Sequence, residues 1–468
     1  MPLLYSTFII RFLHRALTAW AEDNMKKIIL NSILIAKLLL SFSVSAGEAA
    51  FSPDGKYMTG DWGGYRTRLQ NSGYNVTLEY GSMVTTNVAG GYDRRHTARY
   101  SDQYIVGLDL DLEKILNIDD AEFKAALIDR NGRDLTQDRL QDPKTPVMGS
   151  TVQSNYGRGQ TWHAAQFWYR QSWFNKKLDL KAGLMPVGED FDNSGCFFQN
   201  LSMCGSLAGH GSGVWYNTPI GQWGARVKYS PVPQLYLQTA AFQYNPRYAT
   251  RRGSFDLDGT GHKGYMYVAE LGYLPTFGAE KLPGTWKIGG WYNTANASDV
   301  LDDDDGRPYV LSKNPARVRD GRYGGYVYLR QQVTRDSRHA GGLSLFWHLA
   351  ANDRHTATMD YQTQIGAIYQ GPFAARPQDF ISLGLSKMHA NSRVARRARL
   401  LNELKGADSD SAAYTPVRKA EYAGELHYSA KVTPWFTLRP NIQFLIHPGG
   451  NEEIKDAWVI GSQVLLTF

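Results

Sequence analysis

Apolar and polar positions alternate along almost the whole chain. The alternation is clearest in the last twelve residues, Ala457 to Phe468. There Trp458, Ile460, Val464, Leu466 and Phe468 share one parity, while Gly461, Gln463 and, less cleanly, Leu465 and Thr467 take the other. A period of two means a strand with one apolar and one more polar face. The same reading applies to Val76–Tyr80, Tyr104–Leu112, Phe123–Leu127, Leu178–Leu184, Trp223–Tyr229, Tyr265–Tyr273, Leu343–Leu349, Tyr422–Tyr428 and Phe436–Ile446.

The connections alternate as well. Short ones lie at Asn117–Asp120, Asn175–Lys177, Pro231–Pro233 and Thr433–Pro434. Long ones lie at Asn131–Thr161, Glu189–Gln222, Asn245–Gly264, Ala295–Gly324 and Asn391–Ala420. The pattern predicts about sixteen strands of about ten residues, the length that a tilted strand needs to cross a bilayer. An open sheet edge cannot exist in lipid, so the sheet must close. The predicted fold is all-β, a closed antiparallel transmembrane β-barrel over residues 74–468. Both termini fall on the periplasmic side, the short turns are periplasmic and the long loops extracellular. A barrel of this size leaves an aqueous channel lined by the polar parity. Trp173, Phe174, Tyr229, Tyr273, Trp286, Trp435 and Trp458 stand at strand ends and suit aromatic girdles at the two headgroup regions.

Overall composition alone would suggest a soluble chain, with 43% hydrophobic and 20% charged residues in 468. Aromatics at 13% and the lack of any interior helical pattern argue for the barrel instead. The chain start reads differently. Lys26 and Lys27 precede an apolar run, Ile28–Leu40, and Val44-Ser45-Ala46 offers small residues for cleavage. Residues 25–46 therefore read as a signal peptide. Residues 1–24 read as a mis-assigned extension ahead of it, and residues 47–73 as a periplasmic lead into the barrel. Without residues 1–46 the basic count falls from 51 to 46 and the acidic count from 44 to 42, so much of the net +7 belongs to the leader. Export also bears on the two cysteines, Cys196 and Cys204. In an oxidising compartment the pair reads as a disulfide closing a small loop. A metal site is the sharper alternative, with His210 as the one nearby ligand.

Motifs for enzymatic chemistry are absent: no phosphate loop, zinc pattern or nucleophile elbow occurs. No cofactor and no nucleic-acid partner is expected. His163, His348, His427 and His447 are scattered on strands or at their ends, with His348 and His427 on lumen parity. The run Arg393–Arg399 reads as a solvated loop or a contact with lipopolysaccharide, and Asp302–Asp305 as a solvated loop tip. Channel chemistry remains. Lumen-parity charges include Glu79, Asp109, Arg130, Arg170, Arg226 and Glu270, and Arg133 and Asp134 follow in the loop. Trp162 and Trp168, also read as lumen-facing, offer flat faces to a sugar ring. Mixed guanidinium and carboxylate groups suit a neutral polyol. The blander reading is that these charges pair across the wall.

Several segments carry a family resemblance: T-G-D-W-G-G-Y-R-T-R-L at 59–69, I-D-R-N-G-R-D-L-T at 128–136, G-E-D-F at 188–191, C-F-F-Q-N-L-S-M-C-G-S at 196–206 and Q-W-G-A-R-V-K-Y at 222–229. Together, and in order along the chain, they resemble the carbohydrate-selective porin (OprB) family. The resemblance implies a sixteen-stranded outer-membrane barrel of a Gram-negative bacterium for passive uptake of glucose and other sugars. It implies inward-folded loops forming a charged constriction, carried onto Arg130, Arg133 and Asp134, and further onto Glu189 and Arg226. It also implies a place in that constriction for the loop around Cys196 and Cys204. By the same resemblance, the terminal Phe468 is the signal read by the outer-membrane barrel assembly machinery. Partners are then the sugars as solutes, outer-membrane lipid and lipopolysaccharide, with one barrel or three in the assembly. The competing readings are a general or anion-selective porin, an outer-membrane barrel enzyme, and a receptor or structural barrel plugged by its own loops.

Overall fold

The computed structural model describes residues 47–142, 150–155, 162–255, 259–336 and 341–468. The predicted extension and signal peptide lie outside them. Sixteen long antiparallel strands form one closed sheet. They are β1 (Tyr74–Gly91), β2 (Ala98–Asp111), β3 (Ala121–Gly132), β4 (Trp162–Trp173), β5 (Leu178–Met185), β6 (Gln222–Val232), β7 (Leu235–Tyr244) and β8 (Gly264–Tyr273). After a two-residue stub at Thr276–Phe277 come β9 (Leu282–Asn293), β10 (Arg322–Gln332), β11 (Gly342–Asn352), β12 (Met359–Gln370), β13 (Phe380–Ala390), β14 (Ala420–Thr433), β15 (Phe436–Ile446) and β16 (Lys455–Thr467). Each strand pairs with its sequence neighbour, and β16 pairs with β1, from Glu79 opposite Thr467 to Gly91 opposite Lys455. Closure leaves no edge for lipid to meet.

Alternation sets the two faces. Val84, Val106, Leu127, Val227, Ile288, Leu345, Ile365, Leu383, Leu426, Ile442 and Ile460 all point outward and are exposed. A soluble protein does not leave such a belt open to water, whereas a bilayer covers it. The inward parity carries buried polar groups, among them Gln238, Glu270, His348, Gln364, Glu425, His427 and Gln443. Aromatic rings mark the rims as expected. Trp173, Phe174, Tyr229, Tyr273 and Trp458 are exposed, and Trp286 stacks on Phe277 at 5.6 Å. Among the described residues no helix is long and apolar enough to cross a membrane.

The lead folds under the turn end of the barrel. Its helix α1 (Tyr65–Asn71) runs into β1, while Met58 N–H bonds the Thr467 carbonyl at 2.8 Å and Trp435 Nε1 donates to the Ser52 carbonyl at 2.8 Å. The lead thus caps the seam where the first and last strands meet.

Two expectations about loops need correction. The stretch Arg393–Arg399 belongs to a helix, α2 (Ser392–Lys405), against the expectation of an interior without helical pattern. The Asn391 side chain caps its first turn and Gly406 ends it in the left-handed conformation. Nor is it a free solvated arm. Arg393 Nη2 donates to Asp299 and Asp302 at 2.7 and 2.8 Å, and Arg397 Nη1 donates to the Val300 carbonyl and the Tyr309 hydroxyl at 2.9 Å each. Asp302 is accordingly paired rather than a solvated tip. Asp303 is buried and accepts the amides of Asp305 and Arg307. These contacts clamp the loop after β13 to the loop after β9.

Candidate functional site

The loop between β5 and β6, residues 186–221, turns into the barrel instead of standing above it. Polar residues on the wall hold it through its backbone. Glu270 on β8 accepts the amide of Asp192 at 2.8 Å, and Glu425 on β14 accepts the amides of Gln199 and Asn200 at 2.9 and 2.7 Å. Lys287 on β9 donates to the Asn193 carbonyl at 2.7 Å, and Arg439 on β15 to the Phe197 carbonyl at 2.9 Å. Each buried carboxylate is itself saturated. Glu270 also accepts from Tyr236, Gln238 and Tyr326 at 2.8 to 2.9 Å. Asp192, bent at a positive φ of 53°, accepts the Ala208 amide at 2.8 Å and contacts His348. A buried charge is tolerable only with partners like these.

The disulfide Cys196–Cys204 closes the tip of this inward loop. Phe198 and Met203 of the tip pack against Tyr328, Phe346 and Ile368 of the wall. The neighbouring loop, from 133 onward, meets the tip. Ser154 N–H bonds the Gln199 carbonyl at 2.8 Å, and the loop is held to the wall by Ser150 N–H on Glu421 at 2.7 Å. The two loops therefore fill much of the lumen, the inward one held along β8 to β15 and the neighbouring one reaching β1 and β2, where Gln153 Nε2 donates to Ser101 Oγ at 2.8 Å and Asn155 Nδ2 to the Gly81 and Ser101 carbonyls at 3.2 Å each.

Between the β3–β4 wall and the inward loop runs a chain of polar contacts. Arg130 on β3 is buried. Its Nε donates to Gln103 Oε1 at 2.7 Å and its Nη2 to the Thr218 carbonyl at 3.3 Å. The Thr218 hydroxyl donates to Glu189 at 2.9 Å, and Gln166 Nε2 donates to the same carboxylate oxygen at 2.8 Å. Trp168 Nε1 donates to Gln166 at 2.9 Å, and Lys181 Nζ sits 4.4 Å from the Trp168 ring centre while pairing with Asp190 at 2.8 Å. Burial pushes the Glu189 carboxyl up, against the pull of Lys181. Arg130, Trp168 and Glu189 thus come together, joined by Gln103, Gln166, Lys181, Asp190 and Thr218. The sequence did not single out the last five: Gln103, Gln166 and Thr218 are uncharged, and Lys181 and Asp190 are two charges among many until the fold pairs them.

The other candidates lie elsewhere. Arg226 is on the lumen wall and forms a ladder with Asp179, Arg170 and Glu122. Within it Arg170 reaches Asp179 at 2.7 Å and Glu122 at 3.0 Å, and Arg226 bonds Asp179. This is the wall-pairing arrangement. Glu79 faces the lumen from β1 and is exposed, and Asp109 pairs with Lys124 at 2.9 Å. Arg133 stands at the long-loop end, largely exposed, pairing with Asp138 at 2.9 Å. Asp134 is buried and caps its own loop through the amides of Thr136 and Gln137 at 3.0 and 3.4 Å. Burial pushes its carboxyl up to about 7.

Trp162 requires a correction. A bulge at Ala165 interrupts the pairing of β3 with β4, between Ala126 opposite Gln166 and Leu127 opposite Ala164. One extra residue reverses the parity. Trp168 therefore faces the lumen, while Trp162, opposite Asp129, shares the outward face with Leu127 and is exposed. Trp168 itself is 7% exposed, with one flank taken by the Lys181 ammonium.

Residues 95–468 match the family model described as carbohydrate-selective porin, OprB family. Porin B of Pseudomonas aeruginosa is 43% identical over 429 residues, 91% of this chain and 94% of that protein. A putative porin, QuiX, of Acinetobacter baylyi is 33% identical over 444 residues, 93% of this chain and 98% of that one. The high-pH structure of Pseudomonas putida OprB superposes with a TM-score of 0.87 at 43% identity, over 90% of this chain and all of that one.

Proposed function

The chain belongs to the OprB family of carbohydrate-selective porins of the outer membrane, and on that premise we propose that sugars are selected where Arg130 of the wall and Glu189 of the inward loop come together. The observation that carries this reading is the single bridging residue, Thr218. Its carbonyl binds the guanidinium of the wall and its hydroxyl binds the carboxylate of the loop. A neutral polyol entering this gap exchanges water hydrogen bonds for charged donors and acceptors of both signs, whereas a small ion meets opposed charges whose fields partly cancel.

Lys181 with Asp190, and Lys124 with Asp109, extend the same mixed lining. This balance argues against the anion-selective reading, which calls for unpaired cations at the narrowing. The enzyme reading has little support: His348 and His427 are buried in the lumen against Asp192 and Glu425, and among the described residues no serine hydroxyl bonds either ring. Lipopolysaccharide contact, if α2 supplies it, rests on Arg396 and Arg399, the arginines of that helix left exposed.

Liposome swelling in a sugar series is the test. Glucose should enter faster than an equally sized charged solute, and glucose should block single-channel current. Strong anion selectivity without glucose block would refute the proposal. A hydrolytic activity lost on replacing one serine or histidine would return the enzyme reading.

A further inference from the structure

Among the described residues of the sixteen strands, Lys387 is the one lysine or arginine on the lipid-facing parity. It lies on β13, pairs in register with Thr363 on β12 and Tyr422 on β14, and shares the outward face of Ile381, Leu383 and Leu385. An ammonium facing hydrocarbon is disfavoured, and a lysine escapes by reaching the headgroup level. Lys387 stands near Ala390, the long-loop end of β13, so the headgroups within its reach are those of the outer leaflet.

The side chains around it fix where that ammonium goes. It lies 5.4 and 5.7 Å from the ring centres of Tyr361 and Tyr422, which stand near the long-loop ends of β12 and β14. The next outward residue, His389, stacks on Tyr361 at 4.8 Å. Asp360 is the acid of this corner, but it is buried, and its oxygens serve His389 at 2.6 Å and Arg354 at 3.8 Å. Among the described residues no carboxylate lies within ion-pair distance of Lys387, which is half-buried and so remains within reach of a ligand. Arg354, in the loop between β11 and β12, is 63% exposed and donates to Ser392 Oγ at 2.9 Å, at the start of α2. The exposed Arg396 and Arg399 follow on that helix. A cation at membrane level is thus continued by three exposed cations on the loops.

We propose that Lys387, between Tyr361 and Tyr422, binds a phosphate of the glycolipid that forms the outer leaflet, with Arg354, Arg396 and Arg399 drawing the anionic groups farther out on the same headgroup. A phosphate supplies the counter-charge and acceptor oxygens that hydrocarbon lacks, and hydrogen bonds between ionised partners are the strong ones. Basic residues at the headgroup level attract anionic lipid in this way. The two rings exclude water from the flanks of the ammonium, which favours a fixed anion over passing solvent. The site is outside the barrel and independent of how sugars are chosen within it.

The test is native mass spectrometry of the folded protein, titrated with lipid A in mild detergent, with heat-modifiable migration certifying the barrel. The unaltered chain should hold lipid A several-fold more tightly than lipid A stripped of its phosphates. Lys387→Gln should erase that difference and Lys387→Arg should keep it, while glucose block of single-channel current stays the same in both. Binding indifferent to Lys387→Gln, or lost only when Arg396 and Arg399 are both changed to Gln, would overturn the wall site. Equal retention of phosphatidylglycerol, or equally tight binding of inorganic phosphate, would overturn the glycolipid as its occupant.

Discussion

Glu270 receives the amide of Asp192, 78 residues away in sequence, at 2.8 Å, and the inward loop bends into the lumen at that bond. Three further donors, Tyr236, Gln238 and Tyr326, hold the carboxylate in place. Glu270→Ala should therefore release the loop without breaking the barrel. A hydrogen bond to a charged group contributes about 1.5–3 kcal/mol, so the loop should sample open positions. Single-channel recordings should show raised open-state noise. A current as quiet as that of the unaltered protein would mean that Lys287 and Glu425 hold the loop alone.

Arg130→Ala removes the bond from β3 to Thr218 and one positive charge from the lining, while Gln166 and Thr218 still hold Glu189. Conductance should rise, glucose block should weaken by about tenfold if one charged hydrogen bond of about 1.4 kcal/mol is lost, and selectivity should move toward cations. Arg226→Ala, in the wall ladder, should change glucose block far less. Equal effects from both would place selection outside the Arg130–Glu189 gap.

The disulfide invites a chemical check. Without reductant the protein should show no thiol reactive to alkylation, and with reductant it should show two. Closing a loop of this size contributes about 2–3 kcal/mol in the chain-entropy treatment. Yet Glu425 already holds the tip through Gln199 and Asn200. A double serine variant should thus keep its barrel and its sugar block, with a less resistant tip toward protease.

Asp134 provides a pH signature for the loop that begins at 133. Burial raises its carboxyl from 3.8 to about 7. The closed loop then holds a proton that the open loop gives up between about pH 4 and 7. Opening becomes easier as pH rises through that window and levels off above it. Asp138 in the same loop is shifted the other way: burial raises it, but Arg99 and Arg133 outweigh this and lower it, so its titration lies below the window. Protease cleavage in this loop should be faster at pH 8 than at pH 5. Asp134→Asn, which keeps the acceptor for Thr136, should make cleavage independent of pH.

Phe468 closes the seam with its amide on the Leu78 carbonyl at 2.9 Å. Deleting it should lower the amount of folded barrel in the outer membrane while leaving the conductance of the assembled fraction unchanged. Normal surface levels would remove Phe468 from any role in assembly.

The wall of this protein is legible from its sequence because alternation is a local signal. Leu178–Leu184 and Trp223–Tyr229 announce their strands without help from the rest of the chain. Trp162 and Trp168 show where locality fails, since a single bulge residue, Ala165, reverses one of them and leaves no mark in composition. The proposed constriction was legible only in part. Arg130 and Glu189 stand out as charges, but Gln199 and Glu425 lie 226 residues apart, and such a pairing depends on barrel closure. The helix at Ser392–Lys405 was legible in principle, from Asn391 ahead of it and Gly406 behind it. A run of arginines reads first as a solvated loop, and the aspartates that claim them sit about ninety residues earlier.

The meeting of β1 with β16, sealed by the lead through Met58 N–H on the Thr467 carbonyl and Trp435 Nε1 on the Ser52 carbonyl, joins two distant parts of the chain. That join has the largest sequence separation in the sheet, and contacts of that kind form slowly. No pore can exist until the final strand has been delivered. Until then the polypeptide encloses no through-hole, so a cell exporting it risks no leak across the wrong membrane. Permeability appears only at the moment the two ends find each other.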